Sequence, residues 1–269
     1  MVRPPCAAIK ARRLLARDVS AAPPLSLRPK PNAPPIRTAM VLAAGLGKRM
    51  RPLTATRPKP MVEVAGKPLI DHALDRLRAA GVERAVVNVH YLADSLESHM
   101  RRAKGIEVLI SDERSLLLET GGGITKALPL IEDDLFLSVN SDNLWFDGPV
   151  DAIHLLGDRW EDDAMDALLL LVPLARANCH KGQGDFHMDP SGRLTRRRMG
   201  RVAPFVFTGV QLLSRRLFGG QPIEPFSMNR LFDKAMAEGR LYGIVHQGLW
   251  FDVGTPSAIP QAEALLAHG

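Results

Sequence analysis

The 269-residue chain is 46% apolar and 24% charged, enough for one α/β domain with a large core, and no apolar run approaches the roughly 20 residues that a membrane span needs. The net charge of +6 is no argument for nucleic-acid binding: residues 1–38 carry eight Lys or Arg against Asp18 alone, and the remaining 27 basic and 28 acidic residues nearly cancel. The two cysteines, Cys6 and Cys179, stand far apart and in no metal-type spacing, so free thiols, a reducing compartment and a cytoplasmic address are expected.

Residues 1–37 are rich in Pro, Ala and Arg, and Pro23-Pro24, Pro29, Pro31 and Pro34-Pro35 interrupt any regular element. They are expected to be a disordered basic extension, with Ile9 to Val19 as a short basic amphipathic helix. Their composition resembles a transit peptide. A disordered tail, or an upstream extension of a reading frame that begins near Met40, is the simpler reading. The folded body is expected over 38–269 as a single domain, with nothing before Thr38 needed for its core.

The apolar run Ala39 to Ala44 reads as a buried strand, and glycines follow at once. Gly45 and Gly47 leave no side chain between the backbone and a ligand, so their N–H groups can approach phosphate oxygens. Arg49, Arg51 and Lys59 place positive charge beside them. Neither standard phosphate motif fits: a P-loop needs Gly-x-x-x-x-Gly-Lys-Ser/Thr, whereas Lys48 and Arg49 follow Gly47, and Met50 holds the place of the third Rossmann glycine. Gly66-Lys67-Pro68 opens a helix with the stripe Leu69, Ile70, Ala73, Leu74 and Leu77, ended by Gly81. A strand over Ala85 to Val89, a helix over Tyr91 to Arg102 with Leu92, Leu96 and Met100 on one face, and a strand over Ile106 to Ile110 follow. This alternation predicts a parallel sheet with right-handed crossovers.

Gly121-Gly122-Gly123 leads into a helix over Ile124 to Leu128; three glycines in a row cost backbone entropy unless something flat or charged must approach closely, the alternative being a flexible turn before the helix. The strand Leu135 to Val139 ends in Asn140-Ser141-Asp142. A carboxylate at the tip of a central strand points into the ligand crevice of such a sheet and suits a hard divalent cation, although aspartate also caps turns. A helix is expected over Asp147 to Gly157, and the acidic residues Asp151, Asp158, Glu161, Asp162, Asp163 and Asp166 read as a solvated surface. Ala167 to Val172 is a strand. Asp185-Phe186 to Met188, the turn Asp189 to Gly192, and Arg193 to Arg198 form a hairpin. Phe205 to Leu212 is a strand that holds Thr208-Gly209. Ser227 is placed as the cap of a helix over Met228 to Glu238, and Leu241 to His246 is a strand. Asp252, set among Trp250, Phe251 and Val253, would be costly to bury unpaired, and a metal resolves that cost. Thr255 caps a closing helix to Leu266, whose Ala262, Leu265 and Leu266 would face the core or a partner.

The string Gly-x-Gly-x-Arg-x-x-Pro-Leu-Thr over 45–54, with Pro58-Lys59-Pro60 behind it, resembles the signature of nucleotidyltransferases that make nucleotide-sugars from a nucleoside triphosphate and a sugar 1-phosphate. Trp250-Phe251-Asp252-Val253-Gly254-Thr255-Pro256 matches a later motif of that family, and Glu119-Thr120-Gly121-Gly122-Gly123-Ile124-x-Lys126-Ala127-Leu128-Pro129 resembles its N-acetylmuramate-1-phosphate uridylyltransferase branch. The resemblance implies a Rossmann-like three-layer α/β sandwich with a mostly parallel central sheet, of the nucleotide-diphospho-sugar transferase type, and a small β-hairpin that lines the sugar pocket. It implies a nucleotide along Leu42, Ala43, Ala44, Gly45, Gly47 and Lys59, with the base over Thr120, Gly121 and Gly122. It implies sugar contacts from Asn140, Asp185, Thr208 and Gly209. Mg²⁺ would lie between Asp142 and Asp252. Arg49, Lys59 and Asp142 would be the catalytic set, with Arg49 stabilising the leaving pyrophosphate and Lys59 the attacking phosphate or α-phosphate. The expected substrates are UTP and N-acetylmuramate 1-phosphate, in cell-wall sugar recycling, with no nucleic-acid or membrane partner.

One departure stands out. Many members of the family carry a Glu-Lys-Pro motif whose lysine touches phosphate, and this chain has none; Lys181 and Arg193 are weak substitutes. Mannose 1-phosphate with GTP, or a glucose-type sugar, remains open as the substrate pair. Arg196-Arg197-Arg198 reads either as a contact for an anionic sugar or as a charged edge that blocks strand pairing. A non-catalytic module on the same fold is the alternative of another class. The joint presence of Arg49, Lys59, Asp142 and Asp252 argues against a decayed site. No hexapeptide repeat is found, so no attached β-helix is expected, and the sequence does not set an oligomeric state.

Overall fold

A computed structural model describes residues 33–267. Cys6, the expected helix Ile9 to Val19 and most of the basic extension lie outside the described residues. Thr38–Leu42 form β1, whose first four residues are buried, as an apolar run flanked by sheet on both sides must be. The order then runs through the two-residue strands β2 (Glu63–Val64) and β3 (Lys67–Pro68), α1 (Leu69–Ala79), β4 (Arg84–Val89), α2 (Ala93–Met100), β5 (Glu107–Asp112) and α3 (Glu119–Ala127). It continues with β6 (Leu135–Asn140), β7 (Asn143–Phe146), α4 (Ala152–Arg159), β8 (Ala167–Pro173), β9 (Phe186–Met188), β10 (Leu194–Arg196) and β11 (Phe205–Ser214). It ends with α5 (Asn229–Ala237), β12 (Leu241–Val245), β13 (Leu249–Asp252) and α6 (Ala258–Ala267).

The central sheet runs β12-β8-β11-β6-β1-β4-β5, with the hairpin β9–β10 attached to β11. β6, β1, β4 and β5 are parallel, β12 is parallel to β8, and β11 alone reverses, antiparallel to both β6 and β8. Side chains alternate across the pleat: Ala39 and Val41 of β1 join a core with Ile70, Leu74, Leu96 and Leu156 from α1, α2 and α4, while Met40 joins Ile124 and Phe232 from α3 and α5 on the other face. Helices on both faces of a mostly parallel sheet make the expected three-layer sandwich.

The structure differs from the sequence reading at five places. Ile36, assigned to the extension, packs against the core and lies beside Gly157 of α4. Leu92 is not on the buried stripe of α2: it adopts a left-handed conformation at φ 49° and is 37% exposed, and Ala93 takes the inward position with Leu96 and Met100. α3 begins at Glu119, so the three glycines lie inside the helix rather than in a turn before it. β7 and β13, unrecognised as strands, pair antiparallel with Trp145 opposite Trp250 and Asn143 opposite Asp252. They help build a third apolar cluster, which also takes in Ala262 and Leu266 of α6 and leaves Leu265 exposed. The acidic stretch is not simply solvated: Asp151 caps α4 through Ile153 and His154 N–H, and Asp166 is buried, with Oδ1 accepting from Arg216 Nε at 2.7 Å and Arg240 Nε at 2.9 Å.

Candidate active site

The tips of β1, β4 and β6 open on one crevice of about 400 Å³. Leu42 to Gly45, Lys59, Thr120, Asn140, Asp142 and Ser227 are among the residues that line it. The loop after β1 is fixed from behind. Leu42 O accepts from Ser141 N at 3.1 Å and from Ser141 Oγ at 2.8 Å. Ala43 N–H donates to Asn88 Oδ1 at 2.6 Å, and Asn88 Nδ2 donates to Glu113 Oε1 at 2.7 Å. Glu113 has no exposed surface; its Oε2 accepts from Leu118 N at 3.0 Å, so the buried carboxylate is held by hydrogen bonds at both oxygens. Gly47 must be glycine, because at φ +61° a Cβ would stand 2.9 Å from Thr54 Cγ2. A Cβ on Gly45 would meet nothing within 4 Å, which leaves that face of the loop open to a ligand.

Charge converges at the other end of the crevice. Lys59, only 9% exposed, forms an ion pair with Asp142 Oδ2 at the tip of β6. Asp252 enters from the β7–β13 ladder directly across from Asn143, the neighbour of Asp142. Asp252 Oδ2 accepts from His180 Nδ1 at 3.1 Å. Its Oδ1 faces Gly254, where a Cβ would lie 2.9 Å from Oδ1 and 3.4 Å from Arg49 Nη1. Arg49, Lys59, Asp142 and Asp252 are thus gathered from four separate stretches of chain. Among the described residues no three His, Cys, Asp or Glu side chains group as a metal cage. Two carboxylates of hard oxygen on adjacent strand ends still suit a divalent cation whose remaining ligands are phosphate oxygens or water. The Cys179 thiol beside Asp252 is pushed up in pKa by burial and by that carboxylate, so it is a poor nucleophile.

The other expected contacts divide. Thr120 lines the crevice, with its Oγ1 accepting from Met228 N at 2.8 Å. Gly121 and Gly122 do not line it. Their N–H groups both donate to Phe226 O, at 2.8 and 3.1 Å, and a Cβ would collide with the Phe226 ring or the Glu224 carbonyl. The glycines let the segment before α5 pass against α3, so close backbone approach is one reason for them here. Thr208 is fully buried; its Oγ1 donates to Leu170 O at 2.8 Å and is turned into the sheet rather than towards a sugar. Gly209, at φ +81° in the irregular stretch of β11, gives room to the amides of Asn140 and Asn143. Asp185 Oδ2 accepts from Phe207 N at 2.9 Å and ties the hairpin to β11. Arg196 pairs with Asp233, Arg197 donates to the carbonyls of Gly184 and Arg201, and Arg193 donates to Tyr242 Oη, so the arginines in this hairpin mostly serve its own structure.

Asn88, Glu113, Ser141, Asn143, His180 and Ser227 were missed from sequence. Asn88 carried a signal: a lone amide in the apolar strand Arg84–Val89, 2% exposed, must be hydrogen-bonded. Ser227 was expected to cap this helix, but Met228 holds the N-cap position of α5; Ser227 Oγ accepts from Asn229 N at 3.2 Å and lines the crevice.

A doubly covered sheet with a glycine loop, a lysine and paired aspartates at its carboxyl edge defines a nucleotide-binding transferase, and the chain belongs to the nucleotidyl transferase family, whose profile matches residues 38–178. It is 45% identical over 236 residues to the N-acetylmuramate alpha-1-phosphate uridylyltransferase of Caulobacter vibrioides, covering 86% of this chain and 98% of that protein. The protein of the same name from Neisseria meningitidis is 37% identical over 232 residues, covering 84% and 97%. The inositol-1-phosphate CTP transferase of T. maritima superposes with a TM-score of 0.71 at 20% identity, over 87% of this chain and 96% of that one, which bears on the fold alone.

Proposed function

We propose that the protein transfers the uridylyl group of UTP to N-acetylmuramate 1-phosphate and releases pyrophosphate. The observation that carries this choice of substrates is the 45% identity to the Caulobacter vibrioides enzyme, continuous over 98% of its length. UTP as donor fits a cytoplasmic enzyme. The triphosphate enters over Leu42 to Gly47 and is met by Lys59 and Arg49. The sugar, held near Asn140, Asn143 and Asp185, presents its phosphate so that one oxygen attacks the α-phosphorus in line. An O–P bond forms, the bond to the β-phosphate oxygen breaks, and pyrophosphate leaves with its electron pair.

This chemistry needs placement and charge neutralisation rather than a protein nucleophile. Lys59 Nζ exchanges its Asp142 partner for a phosphate oxygen as substrate binds. Arg49 sits where charge builds on the leaving group. Asp142 and Asp252 would hold Mg²⁺, which when bound lowers the negative charge on the phosphates.

The test is pyrophosphate release by the full chain over a grid of nucleoside triphosphates and sugar 1-phosphates. The expected result is release with UTP and N-acetylmuramate 1-phosphate, abolished by EDTA. Release only with GTP and mannose 1-phosphate would refute the substrate pair and keep the chemistry.

A further inference from the structure

We infer that His180 is a positioning residue for Asp252: its imidazole grips one carboxylate oxygen and turns the other toward the cation and the triphosphate. The inference rests on the reading of Asp252 as a metal ligand. His180 lies in the loop between β8 and the hairpin, far in sequence from Asp252, and its Nδ1 stands 3.1 Å from Oδ2. A carboxylate only accepts, so Nδ1 carries the proton and donates it.

Two contacts hold the ring in this pose. It packs beside the Trp250 ring in a tilted arrangement, with centroids 6.2 Å apart and planes inclined by 54°. Its far edge presses on Gly182, where a Cβ would collide with Nε2 and Cε1, so the loop needs glycine there. Nε2 is buried and has no hydrogen-bond partner. Nδ1, bonded to Asp252, is thus the ring nitrogen that has a partner among the described residues.

The consequence is a division of labour within one carboxylate. Oδ2 is occupied by His180, and Oδ1, beside Gly254 and near Arg49, is left for the site. Without His180 the Asp252 side chain could rotate, or could draw in the Arg49 guanidinium. Residues that orient a metal ligand in this way are worth about 10–100-fold in metal affinity.

The experiment measures Mn²⁺ bound by the full-length protein with a non-hydrolysable UTP analogue, read from the loss of the free-ion electron paramagnetic resonance signal. His180→Gln, whose amide nitrogen sits at the ε position, is expected to weaken Mn²⁺ binding about 10–100-fold. His180→Asn places an N–H where Nδ1 was and is expected to bind within about three-fold of the parent. That rescue is something a packing role would not produce. Gly182→Ala, which displaces the ring without touching Asp252, should weaken Mn²⁺ binding as His180→Gln does, and it carries the test if His180→Gln does not fold. With Mg²⁺, His180→Gln should raise the cation concentration for half-maximal rate and recover most of its kcat at saturation.

Equal losses for His180→Asn and His180→Gln would overturn the inference. So would unchanged Mn²⁺ binding in His180→Gln beside a loss in Asp252→Asn. Unchanged binding in Asp252→Asn would instead refute Asp252 as a ligand, and the inference with it.

Discussion

Asn88 and Glu113 give the sharpest quantitative test of how the nucleotide loop is held. Asn88→Ala removes the acceptor of the Ala43 N–H bond at 2.6 Å and the donor of the Glu113 bond at 2.7 Å. Both residues are buried, at 2% and 0% exposure, so water cannot take either place freely. The lost bond to a carboxylate is worth about 1.5–2.5 kcal/mol, and the stranded Ala43 N–H costs about 1.5–2.5 more, which together predict roughly 3–5 kcal/mol. For a domain of this size that is a fall of about 6–20 °C in Tm. Asn88→Asp alone sets a second carboxylate against Glu113, and Glu113→Gln alone turns a donor toward Asn88 Nδ2. In the double variant Asn88→Asp/Glu113→Gln the polarity is exchanged: the new amide donates to the new carboxylate and accepts from Leu118 N–H, while that carboxylate accepts from Ala43 N–H. The double variant should be more stable than the sum of the singles by about 2–3 kcal/mol, the range of a directly coupled buried pair. Urea unfolding at pH 8, followed by circular dichroism and fluorescence to check that the transitions coincide, measures each corner of the cycle. Additivity within about 0.5 kcal/mol, or a loss under about 1 kcal/mol for Asn88→Ala, would refute the network.

Gly45, which lines the crevice, and Gly122, which does not, should respond differently. Gly122→Ala forces a Cβ into the Glu224 carbonyl and should cost about 2–4 kcal/mol in thermal or urea unfolding, from overpacking and the disturbed bonds to Phe226 O. Gly45→Ala meets no atom within 4 Å and should leave stability within about 0.5 kcal/mol while raising the KM for UTP. Lys59→Met should lower kcat by about 10²–10³, measured by pyrophosphate release at saturating substrates; a loss confined to KM would place the lysine in binding alone. Burial holds His246 below its ordinary pKa of 6.5, with its ring donating from Nε2 to the carbonyls of Phe146 and Leu249. As pH falls through about 6.5 the unfolded chain takes up a proton that native His246 refuses, so stability drops with falling pH, by at most about 1.4 kcal/mol per unit. His246→Gln should flatten the stability profile between pH 6.5 and 5, and a parent protein already flat there would contradict the depressed value.

The parallel strands were legible because a strand covered on both faces is a short apolar run, as in Leu135 to Val139 and Ala167 to Val172. β7 and β13 were not, because Leu144-Trp145 and Trp250-Phe251 are strands only through each other, across about a hundred residues of chain. α3 was misread at its start because glycine is a poor helix former in isolation. Its glycines are retained for contacts with Phe226 and Glu224 that no local pattern announces. Lys59, Asp142 and Asp252 could be picked out as charges placed beside apolar or proline-bound segments. Glu113 and His180 could not, since each acts on a residue distant in sequence.

The same geometry explains how two aspartates can wait at one crevice without undoing it. Side by side and bare, they would repel. Here Lys59 holds Asp142 and His180 holds Asp252, so neither carboxylate lacks a partner before substrate arrives. In the proposed reaction Lys59 would move to a phosphate, while His180 would stay on Asp252, beside Trp250 and Gly182. One partner is mobile and substrate-directed, and the other is fixed and orienting. That asymmetry is why Lys59→Met should act on kcat, whereas His180→Gln should act on cation affinity.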